Sequence, residues 1–557
     1  MFGKITREKE IIKLVDNAID KCIEQGLLEI KKEDVPQIRV EVPREEKFGD
    51  FSVNTAMQLA KAARCNPRII AENIIKNIDT KNSYVKDISI AGAGFINFTL
   101  DNKWLYDELK KVITLKDKYG KIVEENPKRV NVEYVSANPT GPLHIGNARG
   151  GAIGDVISNI LTWAGCDVTK EFYLNDAGNQ IIKFGESLEA RYLQELGKDV
   201  EFPEDGYKGE DITDLAKSYI EENGDKLLNV SEEERQSELV EYSLDKNVSN
   251  MVNDLKDYGI DYDVFFSERT LHNSGAIDDV ISKMKNDGSV YKKEGALWFK
   301  GTEYGLEKDE VLIRQNGVPT YYAADIAYHY DKLVKRNFDY AINVWGADHH
   351  GHVARLKKAM VALGVNEDRL DVILMQLVHL VKNNEALRMS KRKGNIYTLS
   401  DLVGEVGKDA ARFVFNYNKP NTHMDFDLDL AIKQSSDNPV FYVQYAHARI
   451  CSIIRNIGKE VKAENLELLN KKEEINLLKV ISNFSDEILK ASNDLDPSKI
   501  TKYAMDLAGS FHSFYNAHRV IVDDEDLMNA RLALVTATRN VLKNTLDILG
   551  VSALEKM

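Results

Sequence analysis

The segment PTGPLHIGNARG, residues 139–150, holds the side chains best placed to do chemistry. His144 and Asn147 lie three residues apart around Gly146, where strand-like sequence (RVNVEYVS) gives way to helix-like sequence (AIGDVISNILTWAG). A helix start presents unpaired backbone N–H groups and the positive end of the helix dipole, and both stabilise phosphate anions. We therefore expect these side chains to face an anionic ligand such as ATP, although a capped Gly/Pro turn without a ligand would fit this segment equally well.

A second chemical element is the cationic run RMSKRKGN, residues 388–395. Arg388, Lys391, Arg392 and Lys393 crowd a short loop that is followed by Gly394. A run of this kind is usually a solvated, charged surface. As chemistry, a cationic loop closing over a triphosphate would stabilise the charge that develops at the α-phosphorus and on leaving pyrophosphate.

Together, LHIGN and RMSKR resemble the HIGH and KMSKS signatures of class I aminoacyl-tRNA synthetases, in that order and on either side of an insertion. Within that class the chain is similar to the arginyl-tRNA synthetases over nearly its whole length. The differences from the family pattern are Asn147 for the last His, Arg388 for the first Lys, Arg392 for the last Ser, and Ala93 where Pro is common. The segments that carry the resemblance are NVEYVSANPTGPLHIGNARG, FYLNDAGNQI, GADHHGHVARL, FYVQYAHARI, FGDFSVNTAMQLAK and AGAGFINFTL.

The resemblance implies ATP-dependent ligation of L-arginine to tRNA(Arg) through an arginyl-adenylate, with release of AMP and pyrophosphate and with Mg²⁺ accompanying ATP. A synthetase for another amino acid, a related nucleotidyltransferase that uses no RNA, and a non-catalytic tRNA-binding relative remain open at this point. By resemblance, His144, Asn147 and Lys391 are the catalytic residues. The ATP-binding residues implied in the same way are Pro139, Gly141, Gly146, Gly346, His352, Arg388, Met389 and Ser390.

A pocket that selects arginine needs carboxylates, because the guanidinium group is planar, permanently charged and offers five hydrogen-bond donors. In VPTYYAADIAYH, Tyr321 and Asp325 lie four residues apart and so share one face if the segment is helical. A core role for the aromatic side chains, with Asp325 as a cap, is the alternative. By resemblance the pocket is lined by Glu133, Asn138, Tyr321 and Asp325, with Glu268 and Arg355 as weaker candidates.

The segment GADHHGH contains His349, His350 and His352 beside Asp348, which invites a metal-site interpretation. The spacing matches no known ligand motif, so we predict no metal site and no zinc here. The resemblance instead implies that this segment lies beside the adenosine of ATP, and side-chain packing is the alternative.

Aromatic residues near the C-terminus suggest contacts with RNA. Tyr442, Tyr445 and Arg449 fall at helical spacing, and Tyr515 lies in another predicted helix. Such side chains can stack on unpaired bases, although an aromatic stripe also fits a helix core. The resemblance implies an anticodon-binding domain that uses these residues and the terminal Met557, and it implies a contact of Asn97 with the tRNA elbow.

The elements that must position these residues change along the chain. We predict an α/β multidomain protein with an α+β N-terminal domain at residues 1–115 and an all-α helical bundle at residues 436–557. Between them, residues 120–435 read as strand, glycine turn and helix, which predicts a Rossmann-like, doubly wound parallel sheet. The strongly charged stretch at about residues 186–255 is expected to be a mostly helical insertion.

The composition limits the class of protein. With 43% hydrophobic and 29% charged residues the chain is typical of soluble globular proteins, and we expect a cytoplasmic monomer without a membrane span or signal peptide. The net charge of −15 does not by itself indicate a nucleic-acid binder, but phosphate attraction depends on local clusters of Lys and Arg. Four well-separated cysteines fit neither a disulfide framework nor a CxxC pair.

Overall fold

The computed structural model describes residues 6–43, 45–387 and 397–557. Residues up to 100 fold around a core of their own, with a four-stranded antiparallel sheet in the order β1-β2-β4-β3. The third helix begins where Asn66 caps it and Pro67 occupies the first turn, and it buries Ile70 and Ile74 against this core. The elements are α1 (Thr6–Glu24), β1 (Val40–Glu41), β2 (Phe51–Val53), α2 (Thr55–Leu59), α3 (Pro67–Asn77), β3 (Val85–Ala91) and β4 (Phe95–Leu100).

The next helix, α4 (Lys103–Leu115), packs elsewhere. Trp104 and Leu109 belong to the large core shared with the C-terminal helices, not to the N-terminal core. The Tyr106 hydroxyl also donates to the Leu469 carbonyl at 3.1 Å. Packing therefore divides the chain near residue 101, earlier than the boundary at 115 that was predicted from the charged linker that follows α4.

The central part of the chain contains a parallel sheet with strand order β12-β11-β5-β6-β7. β5 lies between β6 and β11, so the strand order reverses there, and ligands of doubly wound folds bind at the carboxyl ends of such strands. This confirms the predicted Rossmann-like fold class. The elements are β5 (Arg129–Glu133), α5 (Ile145–Trp163), β6 (Asp167–Leu174), α6 (Asn179–Glu195), α7 (Glu210–Asn223), α8 (Glu232–Asp257), β7 (Val264–Ser267), α9 (Glu268–Asn273), α10 (Ala276–Asn286), β8 (Val290–Lys293), β9 (Ala296–Phe299), β10 (Glu310–Ile313), α11 (Tyr321–Tyr330), β11 (Tyr340–Gly346), α12 (His350–Ala362) and β12 (Leu370–Met375).

The stretch between β6 and β7 forms the three helices α6, α7 and α8 around a small core that includes Phe184, Tyr192 and Leu239. Ser231 caps α8, whose first turn carries Glu232, Glu233 and Glu234, an arrangement that the helix dipole favours. The charged sequence of this stretch thus lies on the outside of a helical unit with apolar contacts of its own.

The rest of the chain continues the large core. Arg412 is fully buried and donates to Asp155 of α5 and, at 3.0 Å, to the Leu549 carbonyl, so it ties the central domain to the C-terminal bundle. Within the described ranges, none of the helices could serve as a membrane span. The elements are β13 (Val378–Lys382), β14 (Glu385–Ala386), α13 (Leu399–Val406), α14 (Lys408–Phe415), β15 (Met424–Asp427), α15 (Leu428–Ala431), α16 (Pro439–Ile457), α17 (Lys472–Ser482), α18 (Phe484–Asp494), α19 (Ser498–Ala517) and α20 (Glu525–Leu549).

Candidate active site

The turn that follows β5 is strained and firmly held. Val135 has φ of +69° and Ser136 has φ of +36°, although a β-branched residue rarely adopts a left-handed conformation. The Ser136 Oγ donates to Glu133 Oε1 at 3.0 Å and accepts from the Tyr173 N–H at 3.2 Å, while the Tyr262 hydroxyl donates to the Tyr134 carbonyl at 2.9 Å. These bonds offset the strain and deliver the half-buried Asn138 and the buried Pro139 to the crevice between β5 and β11.

His144 and Asn147 cap the start of α5. The His144 N–H donates to Asn147 Oδ1 at 3.0 Å, and the Gly146 N–H donates to His144 Nδ1 at 3.1 Å. Because Nδ1 accepts, the neutral His144 ring carries its hydrogen on Nε2. Because Asn147 Oδ1 accepts, its amide nitrogen is the group that it can offer as a donor. The cap therefore adds two side-chain donors to a helix start that already favours anions.

The C-terminal flank of the cationic run is paired with this helix start. The Ile145 N–H donates to the Tyr397 carbonyl at 3.2 Å, and the Leu399 N–H donates to the Leu143 carbonyl at 2.9 Å. His144 and Thr398 thereby form an antiparallel bridge. The predicted residues Arg388, Met389, Ser390 and Lys391, together with Arg392 and Lys393, lie outside the described residues.

Asp325 and His352 meet at the end of β11. His352 Nε2 lies 2.6 Å from Asp325 Oδ2, and Arg355 Nη2 lies 3.2 Å from His352 Nδ1. Arginine only donates, so Nδ1 accepts and the Nε2–H donates to Asp325. Arg355 is in turn paired with Glu310 at 3.3 Å. His352 thus orients a carboxylate, and its ring also lies 5.7 Å from that of Trp345.

Gly346 ends β11 next to Asp348, and a Cβ at this position would lie 2.5 Å from Asp348 Oδ1, so a side chain would require this exposed carboxylate to move. Gly146 is similarly restricted, since a Cβ would lie 3.0 Å from the His144 ring. Both glycines therefore keep the backbone of the two crevice loops close to their neighbouring side chains.

Carboxylates from three elements surround Tyr173 of β6. Burial, and then the charges of Glu268, Asp325 and Glu133, raise the pKa of the Tyr173 hydroxyl. Glu268 is only 3% exposed, and burial raises its pKa despite the opposing hydrogen bonds of His272 and Tyr173. The structure thus brings the predicted acidic residues Glu133, Glu268 and Asp325 to one side of the crevice, and these three residues form what we call the acidic wall.

Tyr321, at the start of α11, is 51% exposed. A Cβ at Gly178 would lie 3.3 Å from the Tyr321 hydroxyl, so the glycine of FYLNDAGNQI makes room for this ring. An exposed aromatic ring beside the acidic wall is available to a ligand, in contrast to the core role considered for it.

Sequence reasoning missed a buried ionic layer below the acidic wall, which consists of Lys332, Arg336, Glu133 and Glu171. Lys332 is fully buried and its Nζ lies 2.6 Å from Glu133 Oε2 and 3.8 Å from Glu171 Oε1. Arg336 holds Glu171 through two bonds of 2.6 and 2.9 Å. Burial alone would raise the pKa of Glu171, but Lys332 and Arg336 hold it below its ordinary value. Glu133 therefore already has a cationic partner.

The helical insertion also contacts the site. Asn247 of α8 donates to the Pro139 carbonyl at 2.9 Å. Asp211 of α7 lies beside Gly141, where a Cβ would be 3.4 Å from Asp211 Oδ2. No local signal could have identified these residues, because Asn247 is 108 positions from its partner.

The predicted RNA-binding side chains of α16 and α19 form one cluster. The Arg449 guanidinium lies 4.6 Å from the centre of the Tyr515 ring and 5.6 Å from that of Tyr445. His512, which the sequence reasoning missed, lies between Tyr442 at 4.9 Å and Tyr445 at 6.3 Å. The cluster presents a cation and partly exposed rings at the surface, with Tyr445 39% exposed.

The two remaining RNA candidates differ in exposure. Met557 is 53% exposed, and the tail before it is held against α16 because His447 Nδ1 bonds the Leu554 carbonyl at 2.8 Å. Asn97 is 4% exposed and paired on both sides within the antiparallel sheet. Its side chain, as folded here, offers a ligand almost no surface.

Comparison with known proteins gives a consistent result along the whole chain. Residues 108–454 match the family "tRNA synthetases class I (R), catalytic domain", residues 9–100 match "Arginyl tRNA synthetase N terminal domain", and residues 443–557 match "DALR anticodon binding domain". The arginine–tRNA ligase of Ruminiclostridium cellulolyticum is 53% identical over 99% of this chain and 98% of its own length. That of Caldanaerobacter subterraneus subsp. tengcongensis is 53% identical over the full length of both chains. The structure of Thermus thermophilus arginyl-tRNA synthetase aligns with a TM-score of 0.77 over 99% of this chain and 100% of that one, at 22% identity.

Proposed function

Since the chain belongs to the arginyl-tRNA synthetase family and ligates arginine to tRNA with the use of ATP, we propose a division of labour among its residues in this reaction. The observation that carries the proposal is the pairing of residues 143–145 with residues 397–399 at the start of α5. This pairing brings the segment that follows the cationic run to the start of α5, the helix that comes after the strand at which the strand order of the sheet reverses.

The phosphate end of the site is formed by the start of α5. The His144 Nε2–H, the Asn147 amide and the helix N-terminus stabilise charge on the α-phosphate and on leaving pyrophosphate. Lys391, six residues before Tyr397, adds a cation from the run at residues 388–395. Mg²⁺ accompanies ATP and neutralises its phosphates, as an ion that keeps several waters and needs few protein ligands. The other residues of the ATP site are Pro139, Gly141, Gly146, Gly346, His352, Arg388, Met389 and Ser390.

The acidic wall binds arginine. Asp325 and Glu268 receive the guanidinium, because Glu133 is already paired with Lys332 and is better suited to a weaker, shared contact. Asn138 and Tyr321 supply neutral polar groups at the rim. Arg355 acts indirectly, through His352, on the orientation of Asp325.

The chemistry then needs no protein nucleophile. A carboxylate oxygen of arginine attacks the α-phosphorus in line, the bond to the β-phosphate oxygen breaks, and pyrophosphate leaves. A terminal ribose hydroxyl of tRNA next attacks the carbonyl carbon of the adenylate, loses its proton, and displaces AMP. Proximity and electrostatic stabilisation account for both steps.

The cluster of Tyr442, Tyr445, Arg449 and Tyr515 stacks on unpaired anticodon bases, and Met557 is a further contact with the tRNA. A contact of Asn97 with the tRNA elbow is not part of this proposal, because its side chain is buried. We further propose that the enzyme acts as a cytoplasmic monomer, which sedimentation at micromolar concentration would test.

The role of Lys391 is tested by ATP–pyrophosphate exchange with tRNA present. Lys391→Ala should slow the exchange by about 10²-fold or more, in the range seen when one preorganised charge-stabilising donor is removed. Lys490→Ala, on a surface helix of the bundle, is the control and should exchange at the normal rate. A normal rate for Lys391→Ala would remove the residue from the mechanism.

The arginine wall is tested with Asp325→Asn. The variant should lose kcat/KM for arginine by roughly 10²-fold or more, because a charge-assisted hydrogen bond to the guanidinium is lost. The ratio of kcat/KM for arginine to kcat/KM for its neutral isostere citrulline should fall by a similar factor. An unchanged kcat/KM for arginine would exclude Asp325 from specificity.

A further inference from the structure

Buried polar side chains form a hydrogen-bond chain that runs beneath the acidic wall and ends at Asp325. Lys332 Nζ lies 3.5 Å from Asn343 Oδ1, Asn343 Nδ2 lies 2.6 Å from His329 Nε2, and His329 Nδ1 lies 2.8 Å from the Asp325 carbonyl. Lys332 and Asn343 are 0% exposed and His329 is 1% exposed. The phosphate-side residues take no part in this hydrogen-bond chain, which reaches the proposed arginine-binding residues at Asp325, through His329, and at Glu133, through Lys332.

Each link of the chain has one permitted direction. An ammonium group only donates, so Asn343 Oδ1 must accept from Lys332 and its amide nitrogen must donate to His329 Nε2. His329 then carries its single hydrogen on Nδ1 and donates it to the Asp325 carbonyl, which only accepts. Burial, and then the nearby Lys332 charge, lowers the pKa of His329 to about 4, which keeps the ring neutral as this chain requires.

The chain crosses the sheet at its switch point. Asn343 of β11 and Glu133 of β5 are direct neighbours in register, and Lys332 bridges them from above. Asp325, His329 and Lys332 are spaced four and three residues apart, so they share the inner face of α11 and its continuation. That continuation, Asp331–Lys335, is a π-helical turn, a feature that occurs frequently at functional sites.

Asp325 is consequently held at both ends. Its carbonyl receives the hydrogen bond of His329, and its carboxylate receives that of His352, which Arg355 orients. Each of these two chains starts at a cation that is paired with a glutamate, Lys332 with Glu133 and Arg355 with Glu310. A carboxylate that must meet a planar guanidinium in a fixed orientation depends on such support.

We propose that Lys332, Asn343 and His329 are positioning residues that set the location of Asp325 and thereby the preference for arginine. This inference rests on the proposed role of Asp325. None of the three residues contacts substrate; they act through the Asp325 backbone.

The kinetic test compares two buried asparagines of the same sheet. Asn343→Leu breaks the chain and should raise the KM for arginine roughly tenfold, as for one lost hydrogen bond to a buried group, with little change in the KM for ATP. The ratio of kcat/KM for arginine to kcat/KM for citrulline should fall in parallel. Asn131→Leu is the matched control, because Asn131 is also 0% exposed and bonds Glu171 at 3.1 Å but takes no part in the chain. Equal effects of the two variants on the KM for arginine, or no effect of Asn343→Leu, would overturn the proposal.

A spectroscopic test is independent of substrate binding. With ¹⁵N-labelled histidine, the His329 ring of the full chain, assigned by its loss in His329→Gln, should show the neutral Nδ1–H form at pH 7, and Asn343→Leu should disturb that form. An Nε2–H or doubly protonated ring would refute the chain. If Asp325→Asn leaves kcat/KM for arginine unchanged, the assigned role of Asp325 is wrong. If Asp325→Asn lowers this value but Asn343→Leu has a normal KM for arginine, only the positioning role is refuted.

Discussion

Replacing Lys332 by Met tests the ionic layer under the active site. The Lys332 side chain is 0% exposed and that of Glu133 is 5% exposed, so the substitution leaves Glu133 buried without its cation, while Glu171 keeps both bonds of Arg336. Removing one partner of a buried ion pair costs about 3–5 kcal/mol. For a catalytic domain of this size each kcal/mol shifts the melting temperature by roughly 2 °C, so we expect a fall of about 6–10 °C.

Scanning calorimetry would measure this fall, on the transition that arginine and ATP shift upward. The double variant Lys332→Met/Glu133→Gln should recover most of the stability, because a neutral pair of similar shape leaves no buried charge. Lys335→Met is the matched control, since Lys335 lies in the same turn but is 41% exposed and forms a surface ion pair with Asp279. The reasoning fails if Lys332→Met melts like Lys335→Met, or if the double variant is no more stable than the single one.

Three further predictions concern stability, pH and RNA binding. Burial raises the pKa of Glu268, so folding favours its protonated form and this residue costs stability as the pH rises above the ordinary carboxyl range. Glu268→Gln should therefore raise the melting temperature at pH 7.5 while lowering kcat/KM for arginine. A lower melting temperature of this variant would contradict the prediction. Because the pKa of His329 is lowered to about 4, its contribution to stability is present above pH 6.5 and is lost as the pH falls towards 4, by up to about 3 kcal/mol. The urea-denaturation midpoint of His329→Gln should therefore change less with pH over that range than the midpoint of the unchanged protein. Arg449→Ala should raise the KM for tRNA about 5- to 100-fold, the range for lost stacking on one base, without changing the KM for arginine, whereas Lys543→Ala on α20 should leave both unchanged in an aminoacylation assay.

Local spacing predicted the parts of the site that single elements build. His144 and Asn147 are three positions apart because a helix cap requires that spacing, and they do cap α5. Tyr442, Tyr445 and Arg449 share a helix face for the same geometric reason, and Arg449 contacts the rings of both Tyr445 and Tyr515. Such features depend on a few consecutive residues, so a sequence pattern is enough to find them.

The ionic layer could not be predicted in this way. Lys332 occurs in DKLVKR, which reads as the charged end of a surface helix, and its partner Glu133 is 199 positions earlier. Its burial is decided by strands that deliver Glu133, Glu171 and Asn343 to one row of the sheet. The position of α4 is a second example, because its apolar face fits either neighbouring core and only the folded chain shows which one it joins.

In the proposed arginine pocket, the ionic layer would also offset part of the negative charge of the acidic side chains. Lys332 and Arg336 pair with Glu133 and Glu171, whereas the ion pairs of Asp325 and Glu268 among the described residues are with histidines, His352 and His272. Arginine brings two positive groups, its guanidinium and its α-ammonium, to this side of the crevice. On the proposed assignment, a neutral side chain of similar shape would leave these carboxylates without a charged ligand partner, a penalty that can reach about 10⁴- to 10⁵-fold in kcat/KM. On this proposal, selectivity depends on the carboxylates that the ionic layer leaves without a Lys or Arg partner, and the buried cations contribute to it without touching the substrate.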